Sequence, residues 1–81
     1  MKKRRSRLHL FLKNDEHNTF EWVIHSLMTF CNHNYYQAEQ CALLVDQIGE
    51  VKITSGFVPQ VLDTYVDLSK CGLTVELRGK K

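Results

Sequence analysis

Apolar residues along this chain recur first every second position and then every three to four, and each change of period marks an element. Leu8, Leu10 and Leu12 alternate with His9, Phe11 and Lys13, which predicts a strand with the leucines on one face. Asn18 then fits a helix N-cap, with Glu21 three residues on, as in a capping box. Phe20, Val23, Ile24, Leu27 and Cys31 form one face of a helix over residues 19–31, leaving His25, Ser26 and Thr29 mostly outside it. Asn32-His33-Asn34 ends that helix and offers Asn34 as the next cap, with Gln37 at the capping-box position. Ala38, Cys41, Ala42, Val45 and Ile48 give the second helix its stripe, and Gly49 suits the left-handed residue that closes it.

Val51-Lys52-Ile53-Thr54 reads as a short strand and Ser55-Gly56 as a turn. Pro59 fits the first turn of a third helix, with Val61, Leu62, Tyr65, Val66 and Ser69 as its stripe and Cys71-Gly72 as its stop. Leu73, Val75 and Leu77 alternate with polar neighbours, as in a strand. The order is β-α-α-β-α-β. It predicts a two-layer α+β fold in which one three-stranded sheet is covered by three helices. Residues 8–78 form a single domain, residues 1–7 a basic flexible tail and residues 79–81 a polar C-terminal tail.

With 81 residues and 43% of them hydrophobic, the chain builds a small core, and a ligand site is expected to be a surface pocket. The net charge of +2 conceals a cluster of Lys2, Lys3, Arg4, Arg5 and Arg7, without which the remainder is slightly acidic. Such a run can touch nucleic acid or an anionic membrane. No aromatic stacking platform accompanies it, so it is expected to be a solvated tail, with no nucleic-acid or membrane partner. No stretch reaches the roughly 20 apolar residues that span a bilayer. The short run after the basic cluster enters Lys13-Asn14-Asp15 without a signal-cleavage site. Cys31, Cys41 and Cys71 are odd in number and sit at apolar positions, which predicts buried free thiols in a reducing cytoplasm.

The chemistry concentrates at the junction of the first strand and first helix, Asn14-Asp15-Glu16-His17-Asn18. The oxygens of Asn14, Asp15, Glu16 and Asn18 suit a cation, most naturally an ammonium group held by charge-assisted hydrogen bonds. Capture of a peptide N-terminus is one such use. The plainer reading is a helix cap and a solvated loop. His17, His25 and His33 with Asp15, Glu16 and Cys31 carry no nucleophile motif, and no Gly-rich phosphate loop occurs, so the protein is not expected to be an enzyme. His25, Cys31, His33 and Cys41 lack tight ligand pairs, so neither a metal nor a cofactor is expected.

Asn14-Asp15-Glu16, followed by Asn18-Thr19-Phe20-Glu21-Trp22-Val23-Ile24, resembles the NDDxxTPMEFVI stretch of the ClpS family, the adaptors that hand N-degron substrates to a Clp-type AAA+ protease. The stretch from Gln37 to Val45, with Gly49 beyond it, resembles the family's second block, which runs into VHxxG. The wording resembles the short Bacteroidetes-type members. The resemblance implies a fold like the ribosomal L7/L12 C-terminal domain. It also implies two partners, N-degron peptides with a bulky hydrophobic first residue and a free α-amine, and the N-terminal domain of a Clp-family AAA+ unfoldase. Carried onto this sequence, the α-amine site comprises Asn14, Asp15, Glu16 and Asp46, and the side-chain pocket Asn18, Phe20, Val23, Ala42 and Val45. Here Glu16 stands where the family has Asp, Asp46 where it has the His of its VH pair, and Phe20 where it has a Met. Asn14, Glu16 and Asp46 are thus expected to form a three-point cage for a positive charge. The alternative is a ClpS-like paralogue whose altered pocket no longer binds degrons and which docks on or regulates the protease.

Overall fold

The computed structural model describes residues 7–79 and follows the expected order: β1 Arg7–Lys13, α1 Phe20–Phe30, α2 Tyr35–Ile48, β2 Glu50–Phe57, α3 Val58–Lys70 and β3 Val75–Gly79. The sheet order is β2-β1-β3, and β1 runs antiparallel to both neighbours. Lys2, Lys3, Arg4 and Arg5 of the expected tail lie outside the described residues, as do Lys80 and Lys81. Arg7 is already a strand residue, opposite Phe57, with its guanidinium 5.2 Å from the centre of that ring. Gly79 likewise belongs to β3, opposite Leu8.

The alternation of β1 sends Leu10 and Leu12 under the helices, where they are 0% and 2% exposed. They meet Ile24 and Leu27 of α1, Ala38, Ala42 and Val45 of α2, Ile53 of β2, Val61 and Leu68 of α3, and Leu73 in one core. α2 packs on β2, α3 on all three strands, and α1 lies against α2 and α3. The ladder slips between Leu10 and Phe11, whose partners are Thr54 and Lys52. The slip leaves Ile53 without an opposite number and frees it to enter the core.

The other sheet face carries charge. Arg78 stacks over the Phe11 ring at 3.9 Å and reaches Glu50 at 2.6 Å and Glu76 at 3.0 Å. Lys13 joins the same two carboxylates at 3.1 and 3.4 Å. Hydrogen bonds from Arg78 and then Lys13 hold the Glu50 carboxyl down at about 2. Exposed pairs of this kind contribute little individually, and a shared network fixes geometry more than it adds stability.

Local signals set the ends of α2. Asn34 and Gln37 form the expected capping box, and Gly49 closes the helix at φ 102°. Asn32 turns the chain from α1 to α2 at φ 57°, a left-handed conformation that asparagine tolerates. His33 Nε2 lies 3.0 Å from the Ile53 carbonyl and ties this turn to β2. The three cysteines are free but half-buried rather than buried. Burial, and then the neighbouring Cys41, push the Cys31 thiol up to about 12.

Several expectations are corrected. Thr19, not Asn18, caps α1, its hydroxyl accepting from the Trp22 N–H at 3.1 Å. Ser55 and Gly56 continue β2, and α3 follows with no turn between. Leu73 precedes β3 and fills the core. Ser26 is fully buried because α1 packs against both α2 and α3, and Ile48, the last residue of α2, is 69% exposed. On α3 the buried residues are Val61 and Leu68, and Leu62 and Val66 point outward. Leu68→Ala is expected to cost about 2–5 kcal/mol and the exposed Leu62→Ala less than about 1 kcal/mol in urea unfolding. Equal losses would show that Leu62 is as deeply packed as Leu68.

Candidate functional site

β1 ends where its hydrogen bonds leave the sheet. The Lys13 N–H donates to the Thr74 carbonyl at 2.8 Å, and the Asn14 N–H to the Gly49 carbonyl at 2.9 Å. The strand tip is thus tied on one side to the approach to β3 and on the other to the closing residue of α2. Asp15 then organises the bend. Its carboxylate accepts from the His17 N–H at 3.0 Å, the Asn18 N–H at 3.2 Å, the Asn18 amide at 3.1 Å and the Thr74 hydroxyl at 2.8 Å. The Asn18 amide also donates to the Gly72 carbonyl at 2.9 Å. Asn18 therefore braces the corner against the α3–β3 turn, and the cap of α1 falls to Thr19. Burial alone would raise the Asp15 pKa. The hydrogen bonds from Thr74, His17 and Asn18 outweigh it and leave the group below its ordinary value.

Beside this corner lies a cavity of about 110 Å³. Asn14, Asp15, Asn18 and Asp46 supply its polar lining, and Phe20, Val23, Ala42 and Val45 its apolar wall. Leu12, Lys13 and Leu73 complete it. Asn14 and Asp46 are exposed, whereas Leu12, Ala42, Val45 and Leu73 are buried, so the polar groups stand at the rim and the apolar ones at the floor. Cavities of about 150 Å³ accept a benzene ring, so this one is on the scale of a single large side chain. The Lys13 ammonium is engaged with Glu50 and Glu76, which leaves the rim acidic.

The residues expected at the site converge here except one. Glu16 does not line the cavity; it is exposed on the bend, because the Asp15 hydrogen bonds fold the backbone so that residues 16–17 face solvent. Of the three residues expected to form the cage, Asn14 and Asp46 line the cavity and Glu16 does not. The Asp15 oxygens are occupied within the protein, which gives that residue a positioning part. Leu12 and Leu73 were not anticipated. Leu12 had a signal, as the last inward leucine before the corner. Leu73 had none nearby, since it reaches the floor only through the turn at Gly72. Among the described residues, no group of three or more His, Cys, Asp or Glu side chains could hold a metal ion, and no helix is long and apolar enough to cross a membrane.

The comparisons agree with this architecture. The family model described as "ATP-dependent Clp protease adaptor protein ClpS" matches residues 3–70. Among solved structures, that of Agrobacterium tumefaciens ClpS2 bound to L-phenylalaninamide is similar with a TM-score of 0.84 over 95% of this chain and 100% of that one. Its sequence identity is 14%, so the likeness is one of fold. No curated protein matches the sequence.

The Asp15 network has a consequence for acid stability. Its pKa is lower folded than unfolded, so its ionisation stabilises the fold above the unfolded value of about 3.9. That contribution is lost as pH falls through the lower folded value, and Glu50, held at about 2, adds with the same sign. Unfolding free energy should therefore decline below about pH 4. Asp15→Asn should be less stable at pH 7 and show a shallower decline; an unchanged pH slope would mean that Asp15 does not hold the corner.

Proposed function

As the chain belongs to the ClpS family of ATP-dependent Clp protease adaptor proteins, we propose that it captures peptides with a free α-amine and a bulky apolar first side chain and delivers them to a Clp-type AAA+ protease in the cytoplasm. The observation that carries this reading is the pairing of an exposed acidic rim with a buried apolar floor in one small cavity. A free peptide N-terminus presents the same pairing, with an ammonium one bond from the carbon that bears the side chain. The ammonium group would be held by the Asn14 side-chain oxygen and the Asp46 carboxylate, through charge-assisted hydrogen bonds. The first side chain would pass Phe20 and rest on Val23, Ala42, Val45 and Leu73. L-phenylalaninamide, the ligand of the Agrobacterium tumefaciens ClpS2 structure, carries both features, a free amine and an aromatic side chain, on a carbon that also bears a carboxamide.

Recognition of this kind relies on both halves. Acetylation removes the charge and leaves Asp46 facing a neutral amide. A small first residue leaves the floor unfilled and forgoes the roughly 1.5–3 kcal/mol that burial of a large apolar side chain provides. Asp46 sits in the last turn of α2, where the helix dipole also favours a cation.

A fluorescent peptide beginning with phenylalanine should bind, and its acetylated twin should bind at least about tenfold more weakly, the loss of one charge-assisted contact. Asp46→Ala and Asn14→Ala should each weaken binding about tenfold, whereas Glu16→Ala should change it less than about twofold. Indifference to acetylation would favour a paralogue with a lost pocket. Pull-down of the unfoldase N-terminal domain would separate the docking function from peptide capture.

A further inference from the structure

Phe20 is shared by two cavities: it lines the site described above and also a groove of about 320 Å³ lined by Phe20, Glu21, Ile24, His25, Met28 and Tyr35. Phe20, Ile24 and Met28 are four residues apart and stand in one row along α1. Tyr35, at the start of α2, forms the opposite wall. From Phe20 to Met28 the row spans about 12 Å, at about 1.5 Å per helical residue. An extended peptide rises about 3.3–3.6 Å per residue, so the row is as long as three to four peptide residues.

One lining residue, His25, is braced through its neighbour Trp22. The Trp22 indole N–H donates to the Cys71 carbonyl at 2.9 Å, and His25 stacks on that indole with 5.5 Å between ring centres. The lining remains open: Phe20 is 39%, Met28 42% and Tyr35 56% exposed. Exposed apolar side chains are ordinary when scattered, but here they line one groove that shares Phe20 with the first cavity.

We propose that this groove is a second subsite for the same peptide, taking apolar side chains at the positions that follow the N-terminal residue. The proposal rests on the reading of the first cavity as the N-terminal site. A peptide whose amine lies at Asn14 and Asp46 and whose first side chain fills the cavity must leave past a neighbouring wall, and Phe20 is the wall that both spaces share. Its next residues then run along the Phe20–Ile24–Met28 row. Met28, unbranched and adaptable, suits a subsite that accepts several apolar shapes.

Two peptide families test this, Phe-Leu-Leu and Phe-Ser-Ser at the N-terminus of an otherwise identical polar sequence, each with a free and an acetylated amine. The intact protein should bind Phe-Leu-Leu about tenfold more tightly than Phe-Ser-Ser, on the order of one partly buried aliphatic side chain. Met28→Ser should remove that difference while leaving the Phe-Ser-Ser affinity within about twofold, as an exposed position allows. Tyr35→Ala, on the opposite wall, should act in the same direction. Equal binding of the two free peptides, both lost on acetylation, would overturn the second subsite and leave the N-terminal reading standing. Binding indifferent to acetylation would overturn both. Self-association abolished by Met28→Ser would assign the groove to a second copy and overturn the proposal.

Discussion

One carboxylate ties the start of the chain to its end. Asp15 receives the N–H groups of its own bend and the hydroxyl of Thr74, and Asn18, held by Asp15, donates onward to Gly72. Two backbone bonds complete the joint, from Lys13 to Thr74 and from Asn14 to Gly49. The strand tip, the closing turn of α2 and the turn before β3 are thereby held in one place. The cavity has walls only because these three segments meet: Leu12 comes from the first, Val45 and Asp46 from the second and Leu73 from the third.

The same joint explains how a chain of 81 residues can hold an open apolar pocket. A core this small has little stability to spare for an unfilled space. The pocket lies where elements end, and hydrogen bonds rather than side-chain packing carry the load there. Deeper in, Leu10, Leu27 and Leu68 are fully buried and leave no such gap. The site sits at the edge of the core and borrows its apolar floor.

Charge is divided by the sheet. On the face away from the helices, Lys13 and Arg78 neutralise Glu50 and Glu76 within one network. On the helix side, Lys13 also lines the cavity with Asp46 and Asn14, but its ammonium is paired with Glu50 and Glu76. The rim is thus left with the acidic Asp46 and the amide of Asn14. Glu16, which the sequence pattern places beside them, is taken away by the Asp15 bend and faces solvent.

What the sequence determined by itself is whatever depends on residues three or four apart. The alternating leucines of β1, the Asn34–Gln37 box and the glycine that ends α2 are short-range choices, and they arise as read; of the α1 stripe, Ile24 and Leu27 are buried while Phe20 is exposed. The motif at the corner and its partner block on α2 likewise pointed to the residues of one cavity. The tertiary structure decided the rest. Asn18 gives up the cap of α1 because Gly72 offers it a carbonyl from far along the chain, and Thr19 is adjacent to take its place. Ser26 is buried and Ile48 exposed because neighbouring helices, not periodicity, decide which side of a helix is covered. Leu68 replaces Leu62 in the core for the same reason. A helix stripe can be read from sequence to within about one residue's rotation, about 100°, and only the packing partner selects among the faces that remain.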